Sequence, residues 1–307
     1  MKKLVNTYNV EGYLHSHKLE KKTVQNKESE NFGKEFIAGS VNIATDEACN
    51  NIVTVYYTYV VADKKDGGPN PNFNMLMSIV DGKFKTLMDS SKEEAAKMKL
   101  NTSLALNEWY DQNDELVSRL RAEGGFIRKV DELNEDESKR NLFRTDMIIT
   151  GVKEVEGDPE KNKEDKVVIS GHIFTFRNEI LPVSFSVYNE AGKSFFLGLD
   201  ASSKNPYFSK VGGSQVSLIV NSVKVEHNAF GDDIVTESKY TSKDFVVDYA
   251  DPDSPAWDTE DSILATEVAK MLSDRQVKLA TLKQKKEERK TAPAAAPIAQ
   301  AGAFPGF

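Results

Sequence analysis

One short text occurs twice in this 307-residue chain, and it limits what the chain can fold into. Ile37-Ala-Gly39-Ser-Val41 returns as Ile169-Ser-Gly171-His-Ile173. Each copy opens a stretch of two alternating β-branched or aromatic runs separated by a polar turn: residues 35–61 and 166–188. Strict alternation at period two is the mark of a half-buried strand, and a glycine inside one marks a bulge or a close backbone approach. Further landmarks keep the same order. Val10-Glu-Gly12-Tyr-Leu14 matches Ile149-Thr-Gly151-Val, and Ser103-Leu-Ala-Leu-Asn107 matches Ser217-Leu-Ile-Val-Asn221. Four ordered landmarks favour an internal duplication over the chance reuse of strand-like text.

The intervening segments are polar. Residues 20–34 and 156–166 are charged loops, 62–74 carry Gly-Gly-Pro and two Asn-Pro-type breaks, and 86–99 read as a helix capped by Ser90 or Ser91. Residues 205–210 read as the start of a second short helix. The resulting division is 1–130 as a first domain, 131–144 as a linker, 145–230 as a second domain, 231–262 as an acidic arm, 263–290 as a helix and 291–307 as a disordered Ala/Pro/Gly tail. Residues 231–262 hold ten acids against two lysines, a surplus equal to the whole chain's net charge of −8. The helix is basic by about four charges, with its lysines late, as the helix dipole favours. The body is near neutral, unlike the basic surface of a duplex-DNA binder.

Five short strands per unit, with a helix before the fourth, is the plan of the OB-fold. The expected fold is therefore mainly β with helical additions: two OB-like five-stranded barrels, an acidic arm and a C-terminal helix. A β-sandwich is the rival. No apolar run is long enough for a membrane span, no secretory leader is visible, and Cys49 is the single cysteine. These point to a protein of the cytoplasm.

Enzyme signatures are missing: there is no GxxxxGK[ST], HExxH, CxxC or GxSxG. His15 and His17 share a strand face without a third ligand and read as a surface pair. The expectation is a non-enzyme with no cofactor and no metal. Alternation places aromatic rings on the strand faces opposite the core: Tyr13, Phe36 and Tyr56 in the first unit, Phe174, Phe176 and Tyr188 in the second. Lys18, Lys21, Lys22, Lys34 and Arg177 flank them. Rings that stack bases beside cations that track phosphates are what a single-stranded nucleic acid requires. The competing reading is that these faces bury one another.

With FIAGSVNIATDE, IVTVYYTYV and a terminal Phe307 in view, the chain resembles bacteriophage single-stranded-DNA-binding proteins across residues 8–228; the first two texts also look like uncharacterised tailed-phage proteins. The resemblance implies non-sequence-specific single-stranded DNA binding in phage replication or recombination, inside the bacterial host cell. It also implies a C-terminal tail, here Phe304 and Phe307, that docks replication proteins. Two departures stand out: AGAFPGF carries no acids before its last phenylalanine, and the family has one OB domain per chain where two are argued here. The alternative function is a phage structural or assembly protein that uses the same β-domains for protein contacts.

Overall fold

The computed structural model describes residues 4–64, 66–227 and 233–291. The first half contains strands β1 (Asn6–His17), β2 (Glu20–Thr23), β3 (Glu35–Ala44) and β4 (Ile52–Val61), helix α1 (Pro71–Val80), then β5 (Lys97–Tyr110) and β6 (Leu116–Lys129). The second contains β7 (Asn141–Val155), β8 (Lys166–Phe174), β9 (Ile180–Val187), α2 (Glu190–Leu197), β10 (Tyr207–His227) and β11 (Asp233–Ala250), followed by helix α3 (Ala265–Thr291).

These strands form one eleven-stranded mixed sheet, ordered β10-β11-β9-β8-β7-β1-β5-β6-β4-β3-β2. The β4–β6 and β9–β11 pairings are parallel, and the others are antiparallel. Additional β1–β3 and β7–β10 pairings curl the sheet back on itself in each half. The expectation of two OB-like barrels joined by a linker is therefore corrected. The overturning finding is the antiparallel pairing of β1 with β7, residues 6–10 against 141–145, which makes both halves parts of one sheet. The segment read as an acidic arm is corrected too. Its length from Asp233 to Ala250 is β11, hydrogen-bonded along β10 and touching β9 at Val246↔Ser186. Acid count had hidden a period-two run, in which Phe245 and Val247 reach the core.

The recurrent glycines sit where the sheet curls. Gly39 has φ +134°, and a Cβ there would lie 2.0 Å from the Lys18 carbonyl oxygen. A Cβ at Gly171 would lie 1.9 Å from the Ile148 carbonyl oxygen. Both positions admit backbone against backbone, which any side chain would block.

The helices differ from expectation. Residues 86–96 form turns rather than a helix, and β5 begins at Lys97. The first helix is α1, inside the stretch read as loop. Asn70 caps it by accepting from the Asn72 amide at 3.1 Å, and Pro71 stands at its start, where a missing N–H costs nothing. The Asn-Pro that looked like a break is a helix-start signal. α1 buries Phe73, Leu76 and Ile79, and the buried Asn72 side chain bonds the Gly125 carbonyl and the Ile127 amide on β6. Residues 205–210 are not helical; Tyr207 opens β10.

One core cluster runs through both halves, from Val10, Leu14 and Val55 to Ile149, Phe185 and Val247. A second lies under α3, where Ile263, Val268 and Met271 pack on Leu4, Ile148, Phe174, Ile180 and Phe208. α3 is fastened to both halves. Its Arg275 makes a bidentate ion pair with Glu108 on β5, both side chains nearly buried. Lys278 pairs with Glu179 at 3.0 Å, and Lys286 with Asp114.

Burial pushes the Glu108 carboxyl up, and hydrogen bonds from Arg275 and Ser118 more than reverse it, holding it below the ordinary range. Removing one partner of such a pair strands the other charge. Arg275→Met is expected to destabilise the fold by about 3–5 kcal/mol, read as a lower urea midpoint, and Arg275→Met with Glu108→Leu should recover most of it. A second acid links the loops of the first half. Glu47 accepts from Lys92 and from the buried Arg140, each at 2.6 Å, and these bonds lower its pKa from 4.5 to about 2. A depressed carboxyl contributes stability above its unfolded value and loses it as pH falls through the folded one. Urea midpoints measured from pH 5 to pH 2 should therefore fall less steeply in Glu47→Gln than in the parent chain.

Candidate nucleic-acid interface

β4 alternates cleanly. Val53, Val55 and Tyr57 are buried, while Thr54, Tyr56 and Thr58 face outward. β6 lies parallel beside it, with Tyr56 opposite Glu123. Arg119, Arg121 and Glu123 alternate with Leu120 and Ala122 along β6, so the two arginines share a face. The Arg121 guanidinium lies over the Tyr56 ring, 4.6 Å from its centroid, and is held there by two bonds to Glu123 at 2.8 and 2.5 Å. Arg119 lies over the Trp109 ring at 5.2 Å. Cations stacked on rings are attracted by the ring quadrupole and presented in a fixed place.

The second half closes this face into a cleft of about 460 Å³, contributing Ser184, Gln215, Lys243, Asp244 and Phe245. Lys243 Nζ donates to Thr54 Oγ1 across the halves at 3.2 Å. Burial pushes its pKa below the ordinary lysine value. A neighbouring groove of about 620 Å³ runs past Tyr59, Phe126, Phe176 and Arg177. Phe126 and Phe176 are 71% and 79% exposed, very high for phenylalanine, and Arg177 lies over Phe176 at 5.3 Å. Tyr59 tilts against Phe36 with centroids 4.9 Å apart.

The expected ring set divides. Tyr56 and Phe176 are open, and Phe36 is half-buried against Tyr59. Phe174 is fully buried under α3, which corrects its reading as a stacking platform. Both faces of β8 are covered at that end, so alternation could not tell inside from outside. Tyr13 is also corrected. It is 8% exposed, with Lys92 5.1 Å from its ring, and burial together with the Glu47 charge pushes its hydroxyl pKa up. Tyr188 is half-buried and donates its hydroxyl to Asp244 at 3.0 Å. Of the expected cations, Lys21 is paired with Glu35 at 2.6 Å, Lys22 with Glu20 at 2.9 Å, and Lys34 donates to Asn31 at 3.1 Å. Lys18 and Arg177 are exposed. Lys21 and Lys22 stand on β2 at the far end of the sheet order. Phe304 and Phe307 lie outside the described residues.

Sequence reasoning missed Trp109, Arg119, Arg121, Phe126 and Lys243. The Arg-x-Arg spacing of 119 and 121 is a usable signal, since it places both side chains on one face of β6. Lys243 was masked by the acids around it. Among the described residues no group of three or more His, Cys, Asp or Glu is placed to hold a metal, and no helix is long and apolar enough to cross a membrane. The His15 ring bonds Ser16 Oγ at 3.1 Å, and His17 accepts from the Leu19 amide at 3.3 Å.

A family model described as YorF matches residues 5–286. No curated protein matches the sequence. Among solved structures, the chain has a weak, low-identity likeness to the wild-type single-stranded DNA binding protein from Thermus aquaticus. Identity is 10% and the TM-score 0.46, over 81% of this chain and 93% of that one. A deletion mutant of the same Thermus aquaticus protein gives 10% identity and a TM-score of 0.47, over 85% and 100%.

Proposed function

The chain belongs to the YorF family, and we propose that it binds single-stranded DNA with little sequence preference, in bacteriophage DNA replication or recombination. The observation that carries this reading is the set of ring–guanidinium pairs on one run of surface: Tyr56 with Arg121, Trp109 with Arg119, and Phe176 with Arg177. Exposed Phe126 and Tyr59 continue it. Every base has a π-face, so rings bind a strand whatever its sequence, and each stacked base contributes roughly 1–3 kcal/mol. The guanidiniums beside the rings stand where the phosphates of a stacked strand must pass. A duplex keeps its bases stacked on each other and cannot use such rings.

Phe36 and Tyr188 extend the contact at its margins, and Lys18, Lys21, Lys22 and Lys34 supply an outer ring of positive charge. The tail at Phe304 and Phe307 docks partner proteins of replication. The phage setting rests on the resemblance of the β3–β4 text to tailed-phage proteins.

Fluorescence anisotropy with labelled oligo-dT at low salt tests the reading. Binding should weaken linearly in log–log form with salt, by about 0.7 for each phosphate contact. Tyr56→Ala and Phe176→Ala should each weaken binding by about 1–3 kcal/mol, and Phe174→Leu, beneath α3, should act on stability alone. Absence of binding overturns the proposal. A large assembly in light scattering with no oligonucleotide affinity would select the assembly-protein reading instead.

A further inference from the structure

We propose that the cleft between the halves is a seat for one nucleotide of the bound strand: Arg119 and Lys243 take its phosphate, and the Gln215 side-chain carbonyl accepts an N–H from its base. The inference rests on the single-stranded DNA reading above and assigns that reading a specific site.

Charge within the cleft is uncompensated. Four charged side chains line it: Arg119, Arg121, Lys243 and Asp244. Arg121 is neutralised by Glu123. The Asp244 carboxylate is occupied, accepting from Lys166 at 3.0 Å, Ser186 at 2.6 Å and Tyr188 at 3.0 Å. Among the described residues Arg119 has no carboxylate partner, and the one polar contact of the Lys243 ammonium is the Thr54 hydroxyl. Two cations thus face a partly enclosed space without a counter-charge.

A second observation comes from Gln215. It is 7% exposed, and its Oε1 has no donor. Its backbone is fully engaged: the carbonyl accepts from Asn141 at 2.7 Å and Asn51 at 3.0 Å. Buried polar atoms are rarely left unpaired, because the lost hydration is not recovered. Gln215 lines the same cleft as Arg119 and Lys243, and an acceptor without a donor together with two cations without an anion matches a ligand carrying both an N–H and a negative charge. A nucleotide carries both. The walls come from different halves, with Arg119 on β6 and Lys243 and Gln215 on β11 and β10, so the site exists only in the assembled sheet.

Anisotropy of labelled oligo-dT against salt tests this, with Lys270→Ala on the exposed side of α3 as the control. Arg119→Ala with Lys243→Ala should cut affinity at least tenfold at low salt and reduce the log–log salt slope by about 0.7, for the one phosphate the two side chains share. Lys243→Arg should keep the slope. Gln215→Leu should lower affinity several-fold with the slope unchanged, since no charge is lost. Circular dichroism melts identify any variant that fails to fold, and for these the single exposed change Arg119→Ala, with lowered affinity at low salt and a slope loss of less than about 0.7, decides. Wild-type slope and affinity in the Arg119 and Lys243 variants overturn the site while leaving the function standing. Failure of the wild-type chain to bind oligo-dT overturns both.

Discussion

The pairing of β1 with β7 is the contact on which the rest of this structure depends. It is five residues deep on each side, and side chains reinforce it from both halves. The buried Tyr8 hydroxyl donates to Asn141 Oδ1 at 2.6 Å, and Asn141 Nδ2 donates to the Gln215 carbonyl. Asn6 does the same on the other side, donating to the carbonyls of Leu104 and Phe174 and accepting from the Leu104 amide. Around these bonds Tyr8, Phe143, Phe185 and Phe245 pack ring against ring at centroid distances of 5.1 to 6.3 Å. A hydrogen bond to a neutral partner contributes about 1 kcal/mol net, but stranding either end in an apolar surround costs more. The junction is therefore specific as well as adhesive: a one-residue slip would reverse every side chain and orphan the amides of Asn6 and Asn141 together.

α3 adds a second tie of different character. Its apolar face seals Phe174 and Ile180, while its ion pairs reach Glu108 and Asp114 in the first half and Glu179 in the second. Exposed pairs of this kind contribute little each. The nearly buried Arg275–Glu108 pair differs, because its geometry is bidentate and its loss would leave a charge in a dry place. Arg275 also lies near His172, and burial together with that positive charge lowers the histidine pKa, favouring the neutral ring under the helix.

Much of this was legible in the sequence, and the failures have physical causes. Alternation located most strands, and the repeated glycines marked where backbone meets backbone, because only the lack of a Cβ allows a carbonyl within about 2 Å of that point. Alternation failed where a strand is covered on both faces. At Phe174 both parities are inside, and nothing local announces that a helix ninety residues later will lie on top. β11 was obscured for a different reason: its short buried run, Phe245 to Val247, is flanked directly by Asp244 and Asp248. The joining of the halves was illegible altogether. Residues 141–145 read Asn-Leu-Phe-Arg-Thr, ordinary strand text after a charged run, and their partner lies more than 130 residues earlier.

That non-local junction also determines what the candidate interface can be. Thr54 from β4 and Lys243 from β11 line the cleft from opposite halves and meet because β1 and β7 hold the halves in register. Net charge is a poor guide to such a place. The chain carries −8 overall, yet the acids nearest the cleft are already committed: Asp244 to three donors, Glu123 to Arg121, Glu108 to Arg275. A carboxylate held by its own donors presents little field beyond them, whereas Arg119, stacked on Trp109, keeps its charge turned outward. Screening over about 8–10 Å at physiological salt removes the influence of distant acids on the cleft. Local pairing, rather than the total of acids and bases, decides where an acidic protein can present unpaired cations.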